Sequence, residues 1–209
     1  MDLPRQSAAP ELDATARRVD DMVWIPGGTF RMDRDRGDGR LAGSVRAFVS
    51  GFWMDRAPVT VRQFGEFVVA TGYPGGRAAL RQPLNEQPVV YVTCQDAEAY
   101  ADWIHKELPT AAEWECAAQG AFGLCGMIDG IWEWTVDWAV QGMAFEPCRM
   151  AGRPSDDLNE EPPDRFGPTR LLKRAPLLSC SARTSARPID AAESDIGFRC
   201  VAGAKRRPI

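Results

Sequence analysis

The clearest pattern along the chain is the helical spacing of apolar residues in its first half. The first predicted helix covers Thr60 to Thr71 and has four apolar residues on one face: Val61, Phe64, Phe67 and Val68. Thr60 suits the N-cap because its hydroxyl can accept from a free backbone N–H, and Gly72 suits the end of the helix. The pattern therefore predicts an amphipathic helix with both ends defined.

Two shorter helices are predicted after the first, each opened by a threonine. Thr93 and Asp96 stand at the spacing of a capping box, and the apolar residues that follow share one face: Ala97, Tyr100, Ala101 and Ile104. Thr110 and Glu113 have the same spacing ahead of a third helix, which runs through Ala118 and is closed by Gly120.

Short extended segments account for most of the remaining apolar residues. Residues 22–32 are rich in β-formers but are broken by a Pro-Gly-Gly turn, which predicts a hairpin or a bulged strand. The charged, glycine-containing stretch 33–43 is predicted as a loop, and 45–54 as the next strand. Further extended segments are expected at 171–172 and 196–201.

Helices grouped in the first half, with short strands elsewhere, predict an α+β fold. A chain of 209 residues is long enough for one sizeable core, so a single domain is expected. We predict a flexible tail at 1–21, one domain at 22–203 and a basic tail at 204–209. Within the domain, residues 146–169 are rich in Pro, Asp and Arg and are predicted as a long surface loop.

Charge and composition narrow the classes of partner. The net charge is −4, the isoelectric point is near 5.2, and Lys and Arg alternate with Asp and Glu instead of forming runs. Nucleic acid and acidic membranes are therefore not expected to bind. The expected partner is instead a peptide or a small molecule. The first 21 residues lack the apolar stretch of a signal peptide, which predicts a cytoplasmic protein.

The cysteines do not have the spacing of a structural zinc site. Six are scattered along the chain with no C-x-x-C pair, and His105 is the one histidine. In a reducing cytosol most of them are expected to be buried, inert thiols.

Several segments carry motifs that identify a family when taken together and in order. Two of them are the most specific: Leu108-Pro-Thr-Ala-Ala-Glu-Trp-Glu115 and Trp132-Glu-Trp-Thr-Val-Asp-Trp138. The others that match cover residues 22–32, 51–73, 88–107, 121–131 and 196–201. In these segments the chain resembles the sulfatase-modifying-factor, or formylglycine-generating-enzyme-like, family.

The resemblance implies a loop-rich variant of the C-type-lectin-like fold. Most of the seven tryptophans lie inside the matching motifs, and large aromatic side chains can hold irregular backbone together. We therefore expect most of them to be structural. Trp132 is the first candidate for a catalytic or binding role.

Active members of this family resemble copper-dependent oxidases that convert a peptide cysteine to formylglycine with molecular oxygen and two nearby cysteines. The corresponding segment here, residues 173–187, keeps Arg174 but has Ala175-Pro176 in place of two glycines. Cys180 is its one cysteine and the candidate for both catalysis and copper binding. One thiolate binds Cu(I) far less well than a pair, so a copper site here would need a second ligand from elsewhere in the chain.

Other features of the family are also altered. Between Gln119 and Ala121 this chain lacks several tens of residues that members of the family usually have. The calcium-binding turn implied by the resemblance aligns with Gly126, Asp129, Ile131 and Glu133, so the side chain expected at the first position is lost. Asp129, Ile131 and Glu133 are the remaining calcium candidates, and the alternative for Glu133 is to bond neighbouring backbone N–H groups.

Basic residues near Cys180 are the candidates for binding a substrate or ligand: Arg174, Arg183 and Arg187. Three interpretations stay open. The first is a divergent binding or accessory module that makes no formylglycine, and the second is an oxidase that uses Cys180. The third is a shortened protein that folds poorly, because the missing stretch and Pro176 remove features of the scaffold.

Overall fold

The computed structural model describes most of the predicted domain, over these residues: 21–35, 41–120, 122–128, 130–139, 168–175 and 182–203. Residues 1–20 of the predicted tail, 146–167 of the predicted loop and the predicted basic tail 204–209 lie outside the described residues. So do two candidate site residues, Asp129 and Cys180.

All three predicted helices are confirmed. They are α1 (Val61–Thr71), α2 (Cys94–Trp103) and α3 (Ala111–Gln119). Each begins with the predicted threonine cap, whose hydroxyl accepts from the backbone N–H three residues on, and each capping box is reciprocated by the side chain at that position. Gly72 ends α1 in the left-handed conformation, at φ 67°.

A 3₁₀ helix at Ala79–Arg81 and a set of short strands make up the rest of the regular structure in the described residues. The strands are β1 (Met22–Ile25), β2 (Gly28–Asp35), β3 (Leu41–Val49), β4 (Phe52–Asp55), β5 (Trp132–Trp138), β6 (Thr169–Arg174), β7 (Arg183–Pro188), β8 (Ile196–Gly197) and β9 (Val201–Gly203). Their orders are β1-β4-β9, β2-β3 and β7-β6-β5-β8, and the last sheet has a parallel β5–β8 pair. Three helices beside short, mainly antiparallel strands are an α+β arrangement.

Two predictions about the N-terminal strands are wrong. The chain folds 22–32 into neither a hairpin nor one bulged strand, because β1 pairs with β4 while β2 pairs with β3 in another sheet. Residues 45–54 form parts of two strands in different sheets. The break has a steric cause: Gly27 and Gly51 let two backbones meet so closely that a Cβ on Gly27 would lie 2.4 Å from the Gly51 nitrogen.

Other strand boundaries also differ from the prediction. The predicted loop 33–43 is shorter, since β2 continues to Asp35 and β3 begins at Leu41. The segment 196–201 is two strands rather than one. Between these two strands the backbone makes hydrogen bonds that belong to no sheet. The Phe198 carbonyl accepts from the Val59 N–H and the Cys200 carbonyl from the Asp55 N–H, both at 2.9 Å, and the Cys200 N–H donates to the Asp55 carboxylate.

The apolar faces of α1 and α2 pack into one core with residues from β5 and the segment between β8 and β9. Phe64, Tyr100, Trp134 and Phe198 are each 0 to 1% exposed in that core. Helix α3 packs between the β2–β3 hairpin and strands β5 and β6. Within the described ranges no helix is long and apolar enough to cross a membrane.

Candidate functional site

A fully buried ion pair joins two of the sequence motifs. Glu133 on β5 and Arg199 between β8 and β9 are both 0% exposed, and Arg199 donates from Nε and Nη2 to the two carboxylate oxygens at 2.7 and 2.8 Å. The Trp114 indole Nε1 donates to the same carboxylate at 2.8 Å. Such bidentate, charge-assisted bonds offset the desolvation of both groups.

Arg199 also holds irregular backbone in place. Its guanidinium donates to the carbonyl oxygens of Cys125 at 2.9 Å, Asp55 at 3.3 Å and Arg56 at 3.4 Å. One side chain therefore connects β4, the 122–128 segment and β5.

These contacts do not support the calcium prediction. Glu133 bonds two side chains rather than the neighbouring backbone N–H groups of the alternative prediction, and its oxygens already accept three hydrogen bonds. Gly126 has no side chain to offer, and a Cβ on Gly130 would lie 2.1 Å from the Gly126 carbonyl oxygen. Calcium needs six to eight oxygen ligands. The described residues of this turn do not fit the ion, and Asp129 lies outside them.

A second buried ion pair lies beside the first, because Lys173 of β6 stands directly opposite Glu133 of β5 in the register. The Lys173 ammonium of β6 and the Glu115 carboxylate of α3 are 2.7 Å apart and 0% exposed, and Lys173 also donates to the Thr184 hydroxyl at 2.9 Å. Nearby, the Asp137 carboxylate accepts from the Ala111 N–H at the start of α3. Burial raises the pKa of Asp137, and the Lys173 and Arg170 charges only partly oppose the rise. The Lys173, Glu115 and Asp137 side chains therefore stabilise the fold through their hydrogen bonds and charges.

The structure brings three of the candidate residues to one end of the β5–β6–β7 sheet. Arg174, the last residue of β6, stands directly opposite Arg183, the first residue of β7, and its guanidinium lies 5.9 Å from the centre of the half-buried Trp132 ring. A cation at that distance over an indole is a favourable contact. Arg183 is exposed. The site therefore combines an aromatic face with guanidinium donors.

Arg187 does not join that group. It lies four residues further along β7, ~13 Å at the usual rise of a strand. Its guanidinium pairs with Glu193 at 2.8 Å and donates to the Ser185 hydroxyl at 2.9 Å. Ile131, the remaining calcium candidate, is half-buried, and its Cδ1 comes near Gly197.

Tyr91 is a candidate that the sequence did not single out. It is 39% exposed and has φ 58°, a left-handed conformation that is strained for an aromatic residue. Its N–H donates to the Glu193 carbonyl at 2.9 Å, and the Trp132 N–H donates to the Asp195 carbonyl at 2.8 Å. Both aromatics thus border the 193–195 segment. A left-handed non-glycine residue leaves no signal in the sequence.

The described cysteines are poor metal ligands. Burial, followed by the nearby Glu98 charge, raises the pKa of Cys94 to about 12, and burial with Glu113 and Glu115 raises that of Cys116 to about 11. Cys200 is also buried, while Cys125 is exposed. Among the residues that the structure describes, no three His, Cys, Asp or Glu side chains are grouped closely enough to hold a metal ion.

Comparison with known proteins places this geometry in context. Residues 8–122 match a family model described as a sulfatase-modifying factor enzyme 1-like domain. The formylglycine-generating enzyme of Thermomonospora curvata is 35% identical over 57% of this chain, which spans 53% of that enzyme's length. A Bos taurus protein named inactive C-alpha-formylglycine-generating enzyme 2 is 29% identical, with 90% of this chain and 89% of that protein covered.

A solved structure is similar over nearly the whole chain. PvdO from Pseudomonas aeruginosa superposes with a TM-score of 0.60 at 15% identity, covering 87% of this chain and 94% of PvdO. At that identity the likeness concerns the fold alone. The predicted α+β fold of this family is confirmed.

Proposed function

Since this chain belongs to the family of sulfatase-modifying factor enzyme 1-like domains, we propose that it is a divergent member that acts as a binding or accessory module. It works without the paired-cysteine copper site of the active enzymes. Its ligand, a peptide or a small molecule, binds at the end of the β5–β6–β7 sheet that bears Trp132, Arg174 and Arg183.

The observation that carries the proposal is the small number of cysteine thiolates available for a copper site. A Cu(I) site of this type needs two convergent thiolates, and the segment 173–187 contains Cys180 alone. Of the described cysteines, Cys94 and Cys116 have raised pKa values and Cys200 is buried. Cys94 also bonds the backbone of Ile189, at the end of β7 remote from the 175–182 connection. This shortage of available thiolates among the described residues supports a function without the copper ion.

The arginine and tryptophan groups support binding. Guanidinium forks donate to carbonyl or carboxylate oxygens of a peptide or small molecule, while a half-exposed indole covers an apolar group. Tyr91 bonds the backbone of Glu193, whose side chain pairs with Arg187 at the other end of β7, so we do not place Tyr91 in this group.

An oxidase remains the second candidate function, supported by the likeness to the Thermomonospora curvata enzyme. It would use molecular oxygen to convert a peptide cysteine to formylglycine. Cys180 would be its one thiol in the 173–187 segment, with a second ligand from elsewhere in the chain. The similarity to a Bos taurus protein named as inactive favours the binding module.

The metal requirement is tested by titrating reduced protein with Cu(I) against a chromophoric chelator. We expect wild type, Cys180→Ser and Cys125→Ser to give the same weak curve, because each offers only isolated thiols. Cys125→Ser is the matched control, since Cys125 is exposed. Tight one-to-one binding that disappears only in Cys180→Ser would contradict the proposal and favour the oxidase.

Binding is tested with a fluorescent cysteine-containing sulfatase peptide, by anisotropy and by mass spectrometry in air. We expect binding that Trp132→Ala and Arg183→Ala weaken by about tenfold or more, that Cys180→Ala leaves unchanged, and that is not followed by loss of the peptide sulfur. Conversion to formylglycine that requires Cys180 would establish the oxidase instead. Absence of both binding and conversion would contradict a peptide ligand and leave small molecules to be tested.

A further inference from the structure

The β2–β3 hairpin places two arginines directly opposite each other on its outer face. Arg31 of β2 pairs with Arg46 of β3 in the register, and both are exposed. The opposite face of the hairpin carries Met32 and Ala47, which are 0 and 6% exposed and pack with α3. Like charges directly opposite in an antiparallel pair are destabilising. The packing of the hairpin therefore does not explain why two arginines stand opposite each other on its exposed face.

Another pair of directly opposed arginines in this chain has carboxylate partners that the hairpin pair lacks. Arg170 of β6 stands opposite Arg187 of β7, but there each guanidinium has its own carboxylate, with Glu98 at 3.0 Å and Glu193 at 2.8 Å. Arg31 donates only to the Ser44 hydroxyl, at 3.1 and 2.7 Å. Among the contacts of the described side chains, Arg46 has neither a hydrogen bond nor an ion pair, and no carboxylate pairs with Arg31.

A surface cavity lies over this pair. It has a volume of about 340 Å³ and is lined by Thr29, Phe30, Arg31, Ser44, Val45 and Arg46. That volume falls within the range of small-molecule sites. The side chain of Phe48, opposite Thr29 and next along the same face, is 50% exposed. Two guanidinium groups and two hydroxyls therefore border one space, and an exposed aromatic ring lies next to it on the same face.

The geometry points to a binding site on the β2–β3 hairpin for a phosphate monoester that carries an aromatic or apolar group. Opposed side chains of a strand pair have Cβ atoms roughly 5 Å apart, so both guanidinium groups can reach one dianion. Guanidinium forks match phosphate oxygens, and the Ser44 and Thr29 hydroxyls add donors. The Phe48 ring packs against the organic group. The site shares no residue with the one proposed above, so substitutions can test the two sites separately.

The test uses phenyl phosphate, titrated calorimetrically into the whole protein at pH 8, where the phosphate is a dianion. We expect Arg46→Gln to weaken binding by about tenfold or more, and the Arg31→Gln, Arg46→Gln double variant to abolish it. Phe48→Ala is expected to reduce the affinity for phenyl phosphate to that for inorganic phosphate. Arg77→Gln, an exposed arginine outside the hairpin, serves as the matched control and is expected to bind as wild type does.

The melting temperature of the ligand-free protein separates binding from folding. Arg46→Gln removes the like-charge contact, so we expect the melting temperature of the ligand-free variant to equal or exceed that of wild type. Phenyl phosphate should raise the wild-type melting temperature by more than that of Arg46→Gln. Lack of binding at millimolar phenyl phosphate, or equal binding by Arg46→Gln, overturns the proposal. Equal affinity for a glutamate-rich peptide overturns the phosphate class, and a lower melting temperature of Arg46→Gln assigns the pair to structure instead.

Discussion

Arg199→Met is expected to lower the free energy of unfolding by about 3 to 5 kcal/mol. The substitution keeps much of the side-chain volume but leaves the Glu133 carboxylate, 0% exposed, without its counter-charge. It also removes the donors to the backbone carbonyls of Cys125, Asp55 and Arg56. Urea unfolding followed by circular dichroism measures the effect.

The controls for this prediction separate burial from charge. Arg187→Met breaks an ion pair whose side chains are 39 and 44% exposed, so it is expected to cost less than about 1 kcal/mol. Glu133→Gln combined with Arg199→Met leaves a neutral amide that can still accept from the Trp114 indole. That double variant should therefore recover part of the stability lost in Arg199→Met. Equal losses in Arg199→Met and Arg187→Met would show that the buried pair is not a principal contact of this fold.

Trp134→Ala is expected to cost about 3 to 5 kcal/mol through a different mechanism. Trp134 is 0% exposed in the core between β5 and helices α1 and α2, so truncation leaves a cavity. Its indole N–H also donates to the buried Val92 carbonyl at 3.1 Å, and that acceptor would lose its partner. Trp134→Phe should cost less, because it keeps an aromatic ring in the core. Thermal unfolding followed by circular dichroism avoids the loss of the fluorescent probe.

Two other tryptophans provide the comparison. Trp24 is 42% exposed and contacts Trp53 in a tilted arrangement with ring centres 5.4 Å apart, so Trp24→Ala should cost much less than Trp134→Ala. Trp132→Ala should affect peptide binding more than stability, because its ring is half-buried beside Arg174. If Trp132→Ala destabilised the protein as strongly as Trp134→Ala, Trp132 would be assigned to the core and lose its place in the proposed site.

The two buried ion pairs explain how the scaffold can be retained while the chemistry of the family is lost. Glu133 with Arg199 and Lys173 with Glu115 join the motifs of the second half of the chain to α3 and β4 through side chains of the chain itself. Neither pair uses a thiol or a metal ion. A well-ordered domain is therefore expected even where a copper or calcium site has been altered, which argues against the poorly folding alternative. The unfolding measurements test that expectation directly.

Local features of this protein could be predicted because they depend on neighbours in the sequence. Thr60, Thr93 and Thr110 each begin a helix, since a hydroxyl and a polar side chain three residues later can bond the free N–H groups of the first turn without help from the rest of the fold. The helical spacing of Phe64 and Phe67 likewise predicted which face is buried. The ordered motifs were sufficient to predict the family and the α+β fold.

Tertiary structure alone decided which strands pair and which charges meet. β1 pairs with β4 rather than β2, because Gly27 and Gly51 allow a close backbone contact that no local pattern predicts. Arg199 and Glu133 are 66 residues apart in the chain, and Arg31 faces Arg46 only through the register of the hairpin. Long-range pairing depends on the shape and desolvation of the whole core, whereas caps and helical faces depend on a few adjacent residues. For this reason the sequence alone determined the helices and the family of this protein, and the folded chain decided the partners of its charged side chains.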